Sequence, residues 1–63
     1  MKHEGWTAWW LSCNAYTICI VVDEDNLIVA APPVANGFIG QPARKLQELM
    51  KARGGFRYAR LLQ

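Results

Sequence analysis

The chain has 63 residues, a net charge of +2 and a 52% share of hydrophobic residues, and it contains three tryptophans. This length predicts one small domain over residues 1–63, which buries only about 60% of the surface that its unfolded chain exposes. Two cysteines are too few for a disulfide scaffold, no apolar run approaches the ~20 residues of a membrane span, and the polar N-terminus is unlike a secretory signal. We therefore expect a cytoplasmic protein that does not enter membranes and whose cysteines are reduced.

Three strands are predicted from the first 31 residues. Trp6–Leu11 is aromatic and apolar, and Ser12–Ala15 offers a turn in which Asn tolerates a left-handed backbone. Tyr16–Val22 and Leu27–Ala31 are apolar runs rich in β-branched residues, and the short polar break between them is typical of a β-hairpin. Because both turns are short, we expect an antiparallel meander.

A helix and a fourth strand are predicted from the rest of the chain. Pro32-Pro33 ends the third strand, and Pro33 suits the start of a short helical turn that reaches Phe38. Ala43–Arg53 consists of good helix formers, and Gly54-Gly55 is a typical helix stop. The final run, Phe56–Leu62, begins with the period-2 alternation that predicts a strand.

These elements predict an α+β fold in the order β-β-β-α-β. A small antiparallel sheet, a three-stranded meander plus a C-terminal strand, carries one α-helix packed on one face. The helix residues expected to face the sheet follow helical spacing: Ala43, Leu46, Leu49, Met50 and Arg53.

Four short segments in the last two-thirds of the chain form a series: Val21-Val22-Asp23, Ile28–Pro33, Phe38–Pro42 and a helix that ends in Gly54-Gly55. This series resembles that of a type of small uncharacterised protein encoded by bacteriophages and prophages, although the Trp-rich first strand lies outside it. That type of protein has no assigned activity and no catalytic residues. The resemblance implies a protein that acts by binding host proteins, including the machinery of immunity and transcription.

The residues that could carry chemistry are few. His3, Cys13 and Cys19 are the only soft metal ligands, fewer than the four of a structural zinc site, so we expect no metal and no cofactor. A nucleophilic enzyme is also not expected, because His3 is the only histidine that could act as a base. We interpret Cys13 as a turn thiol and Cys19 as a small core residue.

The acidic cluster Asp23-Glu24-Asp25 joins two strongly apolar strands. Its first interpretation is a hydrated turn that keeps the hairpin soluble. A second interpretation remains open, in which the three carboxylates imitate nucleic-acid phosphates and meet a basic groove on a partner.

The tryptophans of the first strand are the strongest functional candidates. Neighbouring strand residues face opposite sides, so the uncovered face carries either Trp9 or both Trp6 and Trp10. The second strand is apolar on both sides, with Tyr16, Ile18, Ile20 and Val22 on one side and Thr17, Cys19 and Val21 on the other. A hydrated face would alternate with polar residues, so we expect this one to be covered. A homodimer, a different protein, the N-terminal arm or Val34–Ile39 could cover it.

The predicted function is that of a small non-catalytic phage-type protein. It binds and inhibits a host protein complex, of bacterial defence such as CRISPR–Cas or of transcription, through an apolar Trp-bearing sheet face. The residues expected to contact the partner are Trp6, Trp9, Trp10, Tyr16, Asp23, Glu24 and Asp25.

Two other functions remain open. One is a nucleic-acid-binding module that combines cations with the rings of Phe56 and Tyr58. Its cations are Arg44, Lys45, Arg57 and Arg60. The other is a small structural subunit of a phage assembly, which predicts obligate oligomers.

Overall fold

The computed structural model of the chain describes residues 5–61. The elements are β1 (Thr7–Ser12), β2 (Thr17–Val22), β3 (Ile28–Ala30), a 3-10 helix (Pro33–Phe38), α1 (Ala43–Arg53) and β4 (Arg57–Arg60). The predicted α+β fold and the predicted order of strands and helix are confirmed.

The four strands form one antiparallel sheet in the order β3-β2-β1-β4. In this sheet Trp9 of β1 lies opposite Ile20 of β2 on one side and Arg60 of β4 on the other. The C-terminal strand therefore pairs with β1 and places it in the interior of the sheet. The pairing of β3 with β2 shifts register between Val21 and Val22.

Asp23 builds the turn between β2 and β3. One of its carboxylate oxygens, Oδ1, accepts hydrogen bonds from the backbone N–H groups of Asp25 (2.9 Å) and Leu27 (3.0 Å). Asn26 takes a φ of 64°, a left-handed conformation that Asn tolerates better than most residues. The residue types of the polar break thus specify a tight, hydrogen-bonded turn.

Helix α1 begins after Pro42 and ends at Gly54, whose φ of 88° suits only glycine. Its buried residues are Ala43, Leu46 and Met50. The prediction was wrong for two residues of the stripe, since Leu49 is 41% exposed and Arg53 is exposed. Leu49 lies about 90° around the helix from the centre of the buried stripe, and Arg53 is the last residue of the helix.

One hydrophobic core fills the space between the sheet and the two helices. Its buried residues are Leu11, Cys13, Ile18, Ile20, Val22, Ile28, Ala35, Ala43, Leu46 and Met50. Cys13 lies in the turn between β1 and β2, as expected, and is buried in this core, whereas the expectation that Cys19 is a core residue was wrong, because Cys19 is exposed. Cys13 follows the buried Leu11 by two positions and keeps its inward direction, whereas Cys19 lies between the inward-pointing Ile18 and Ile20.

Both ends of α1 are tied to turns of the sheet. The N–H of Ala43 donates to the carbonyl of Asn26 (2.9 Å), and the N–H of Asn14 donates to the carbonyl of Gly54 (2.9 Å). The side chain of Asn14 also occupies the space that a Cβ on Gly55 would take. Because the two turns lie at opposite ends of β2, the helix runs along this strand and covers one face of the sheet.

Candidate docking surface

The side of the sheet opposite α1 forms a continuous surface, which we call the outer face. Leu11, Ile18 and Ile20 point towards the helix, so their strand neighbours point away from it. In the register of the sheet, Trp10 lies between Cys19 of β2 and Ala59 of β4. The outer face comprises Ala8, Trp10, Ser12, Thr17, Cys19, Val21, Ala30, Arg57 and Ala59.

The outer face is apolar at its centre and accessible. Cys19 and Ala59 are exposed, and Trp10 between them is half-buried. The polar groups lie at one end, where the hydroxyls of Ser12 and Thr17 are hydrogen-bonded to each other (2.9 Å). This surface lacks the polar alternation of a hydrated sheet face.

Within residues 5–61, no helix packs on the outer face. Val34–Ile39, one of the covers that the sequence left open, does not fold over it, because Ala35 is buried in the core on the α1 side and Phe38 packs against that core. The side chains of Val34 and Ile39 are 74% and 47% exposed, so neither is packed over the outer face. The N-terminal arm proposed as a cover lies, up to residue 4, outside the described residues.

The structure decides between the two arrangements of the tryptophans. Trp10 is on the outer face, whereas Trp9 is on the opposite face, where it packs against the core with Tyr16. Trp6 is half-buried and lies just before β1. Of the aromatic residues expected to contact a partner, Trp10 alone lies within a strand on the outer face.

The acidic turn is separate from the outer face. Asp23 uses its carboxylate to shape the turn, while Glu24 and Asp25 are exposed at the end of the hairpin. In the part of the chain that the structure describes, no three His, Cys, Asp or Glu side chains form a group that could hold a metal ion. Glu24 and Asp25 are thus available to a partner, but at the end of the sheet.

The four cations of the nucleic-acid alternative do not form one surface. Arg44 and Lys45 lie in the first turn of α1, beside the turn between β2 and β3. Arg57 and Arg60 lie on β4 at the other edge of the sheet, and the register places them on opposite faces. Nucleic-acid binding by this set stays a prediction.

Phe56 and Tyr58, the rings of the nucleic-acid alternative, form an aromatic row with Trp9 beside the end of α1, and sequence reasoning did not predict this row. The rings of Phe56 and Tyr58 are stacked at 5.7 Å, and the ring of Tyr58 is 5.9 Å from that of Trp9. Lys51 Nζ lies 5.9 Å from the centre of the Phe56 ring. Tyr58 is 61% exposed. Its period-2 position relative to Phe56 was the available signal, because residues two apart share a face of a strand.

Sequence reasoning did not predict the difference between the two edges of the sheet. Residues 40 and 41 cover the start of the β3 edge: the N–H of Gly40 donates to the carbonyl of Ile28 (2.7 Å), and the N–H of Ile28 donates to the carbonyl of Gln41 (2.9 Å). Leu27 and Pro42 extend this contact as an antiparallel bridge. At the other edge, β4 has a neighbour on its β1 side only, within the described residues.

Comparison with protein-family models, with curated proteins and with solved structures finds no match for this chain. Among residues 5–61, none of the helices has the length and hydropathy needed to span a bilayer. The geometry and chemistry of the outer face and of the β4 edge therefore carry the functional assignment.

Proposed function

We propose that this protein acts without catalysis, by docking onto a larger protein through the outer face. The observation that carries the proposal is the apolar, accessible surface around Trp10, on the side of the sheet that α1 leaves uncovered. Tryptophan is enriched among the residues that dominate binding energy at protein interfaces. An apolar surface next to water costs free energy that a partner would recover.

The size of the outer face favours a larger protein over a second copy. With strands about 4.8 Å apart and a rise of about 3.3 Å per residue, four strands of at most six residues present on the order of 400 Å². A stable interface buries about 800 Å² on each partner. Two copies stacked through this face alone would bury about half of that, whereas a larger partner can also contact the adjoining β4 edge.

The consequence that we propose for docking is inhibition. A small chain that occupies a functional surface of a larger complex excludes the ligands of that surface. The resemblance to phage-encoded proteins makes complexes of bacterial defence and of transcription the first targets to test. The exposed carboxylates of the β2–β3 turn and the cations of β4 lie at different parts of the sheet, so they would orient the chain as it approaches.

The test compares Trp10→Thr with Val34→Thr. Threonine keeps β-propensity at position 10, and Val34 is a matched control because it is 74% exposed and belongs to the 3-10 helix. Proteins captured from a bacterial lysate by the unchanged chain and by Val34→Thr, but not by Trp10→Thr, are purified and titrated calorimetrically. We expect Trp10→Thr to weaken binding by at least about 30-fold, corresponding to a hot spot of ~2 kcal/mol or more.

Cys19 supplies a second measurement on the same complex. This thiol is exposed at the centre of the outer face, whereas Cys13 is buried in the core. A partner on the outer face should slow alkylation of Cys19 and leave Cys13 unchanged. Unaltered affinity of Trp10→Thr together with unprotected Cys19 would refute docking at this face. A stable dimer that Trp10→Thr dissociates would show that the occupant is a second copy.

A further inference from the structure

The β4 edge offers a partner backbone hydrogen bonds that the β3 edge has already used. Leu61 N–H donates to the Ala8 carbonyl at 2.9 Å, so Leu61 and Ala8 form a hydrogen-bonded pair of the β1–β4 ladder. Such pairs alternate along antiparallel strands. Arg57 and Ala59 therefore also direct their backbone groups at β1, and Tyr58 and Arg60 direct theirs outward.

The outward edge thus presents two N–H donors and two carbonyl acceptors in the spacing of a strand. An extended segment can add to such an edge, its backbone supplying affinity and its alternate side chains supplying specificity. Tyr58 is 61% exposed and stacks on Phe56. Its ring gives the edge an apolar contact on the α1 side.

The charge of β4 determines which kind of strand can add to this edge. β4 carries Arg57 and Arg60, and neither β4 nor β1 contains an acidic residue. Antiparallel pairing with the β4 of a second copy would bring four arginines and no carboxylate to one short seam. This repulsion works against self-association, while the same arginines attract an acidic strand.

We propose that the β4 edge binds an extended acidic segment of the partner protein as a fifth strand. This inference rests on the proposed function, because it names the part of the docked protein that contacts the edge next to the outer face. Residues of the added strand would lie opposite positions 57–60 in turn. The best fit is two carboxylates three positions apart, one opposite Arg57 and one opposite Arg60, with two apolar β-branched residues between them.

The probe is a synthetic peptide with the central sequence Glu-Val-Val-Glu, capped at both ends and titrated into the ¹⁵N-labelled full chain. Saturating peptide should slow hydrogen exchange of the Tyr58 and Arg60 amides by about fivefold or more. The amides of Arg57 and Ala59 are already bonded to β1 and should change little. This alternation distinguishes an added strand from peptide that is attracted only by charge.

Two controls separate charge from strand addition. A Lys-Val-Val-Lys peptide should bind about tenfold or more weakly, because two attractive pairs become repulsive. The double variant Arg57→Glu/Arg60→Glu should reverse this preference and bind the lysine peptide. Both arginines are exposed, so the exchange leaves the core intact.

The failure of this inference and that of the proposed function are distinguishable. The peptide test uses only the peptide and the chain, without the partner protein, so it can be read whether or not the outer face docks a partner. Protection at neither Tyr58 nor Arg60, or equal binding of the acidic and basic peptides, would overturn the inference. Displacement of the acidic peptide by oligothymidine at equal charge concentration would also overturn it, by showing that the edge recognises phosphate.

Discussion

The two faces of the sheet differ less in residue type than in what lies over them. Along β2, the sequence Ile18, Cys19, Ile20, Val21 alternates between a face packed under α1 and a face left open. All four residues are apolar, yet two form the core and two lie on the outer face. The comparison teaches that hydrophobicity alone does not separate core residues from uncovered residues in a sheet this small, whereas strand register does.

The largest expected effect compares neighbours on β2. Ile20→Ala should lower the free energy of unfolding by about 2–5 kcal/mol, because Ile20 is 1% exposed and its truncation leaves a cavity. Val21→Ala, on the outer face, should cost about 1 kcal/mol or less. Urea denaturation followed by circular dichroism measures both. Equal losses would mean that the outer face is as tightly packed as the core.

The next effect concerns the contact between Asn14 and Gly55, which holds the end of α1 against the sheet. Gly55→Ala should destabilise by about 1–3 kcal/mol, since the new Cβ meets the Asn14 side chain at a φ of 68°. Gly37→Ala is the control, because a Cβ there meets nothing within 4 Å. It should be neutral or stabilise by up to about 1 kcal/mol. Matching thermal midpoints for the two variants would contradict the tight contact.

A smaller effect tests the turn that positions β3. Asp23→Ala removes the acceptor of two backbone hydrogen bonds and should cost about 1 kcal/mol. Asp25→Ala, two residues along in the same turn, should change stability by less than about 0.5 kcal/mol because its side chain is exposed. Chemical denaturation of both variants decides the point. If Asp25→Ala cost more than Asp23→Ala, the assigned role of the Asp23 carboxylate would be wrong.

The smallest perturbation is chemical labelling, which reports the two faces directly. Cys19 should react with a maleimide about tenfold or more faster than Cys13 in the native protein, because only the Cys19 thiol is exposed. In denaturant the two rates should converge. Mass spectrometry of the partly labelled chain measures the ratio, and a native ratio near one would contradict the assignment of the faces.

Most of the fold follows from local sequence signals. Pro42 and Gly54 set the bounds of α1, and Asp23 with Asn26 specifies the hairpin turn, because each of these residues has a backbone preference of its own. The assignment of Trp9 and Trp10 to faces could not be predicted. The period-2 signal needs one polar face, and β2 is apolar on both, so no residue in it marked the direction of α1.

The difference between the two edges of the sheet could not be predicted from the sequence either. Coverage of β3 depends on hydrogen bonds between Ile28 and residues 40 and 41, which lie more than ten positions away and use backbone groups that nearly every residue carries. The openness of β4 depends on its place at the end of the sheet, which strand order determines. Neither feature leaves a side-chain pattern that periodicity can detect.

The covered β3 edge limits how the molecule can assemble. A sheet that is open at both margins can join its neighbours on each side and propagate into a fibre. Here Gly40 and Gln41 already bond to Ile28 at the start of the β3 margin, so among the described residues we expect strand addition at β4, where it would end after a single event. Such a chain would terminate a sheet on another protein rather than link two sheets.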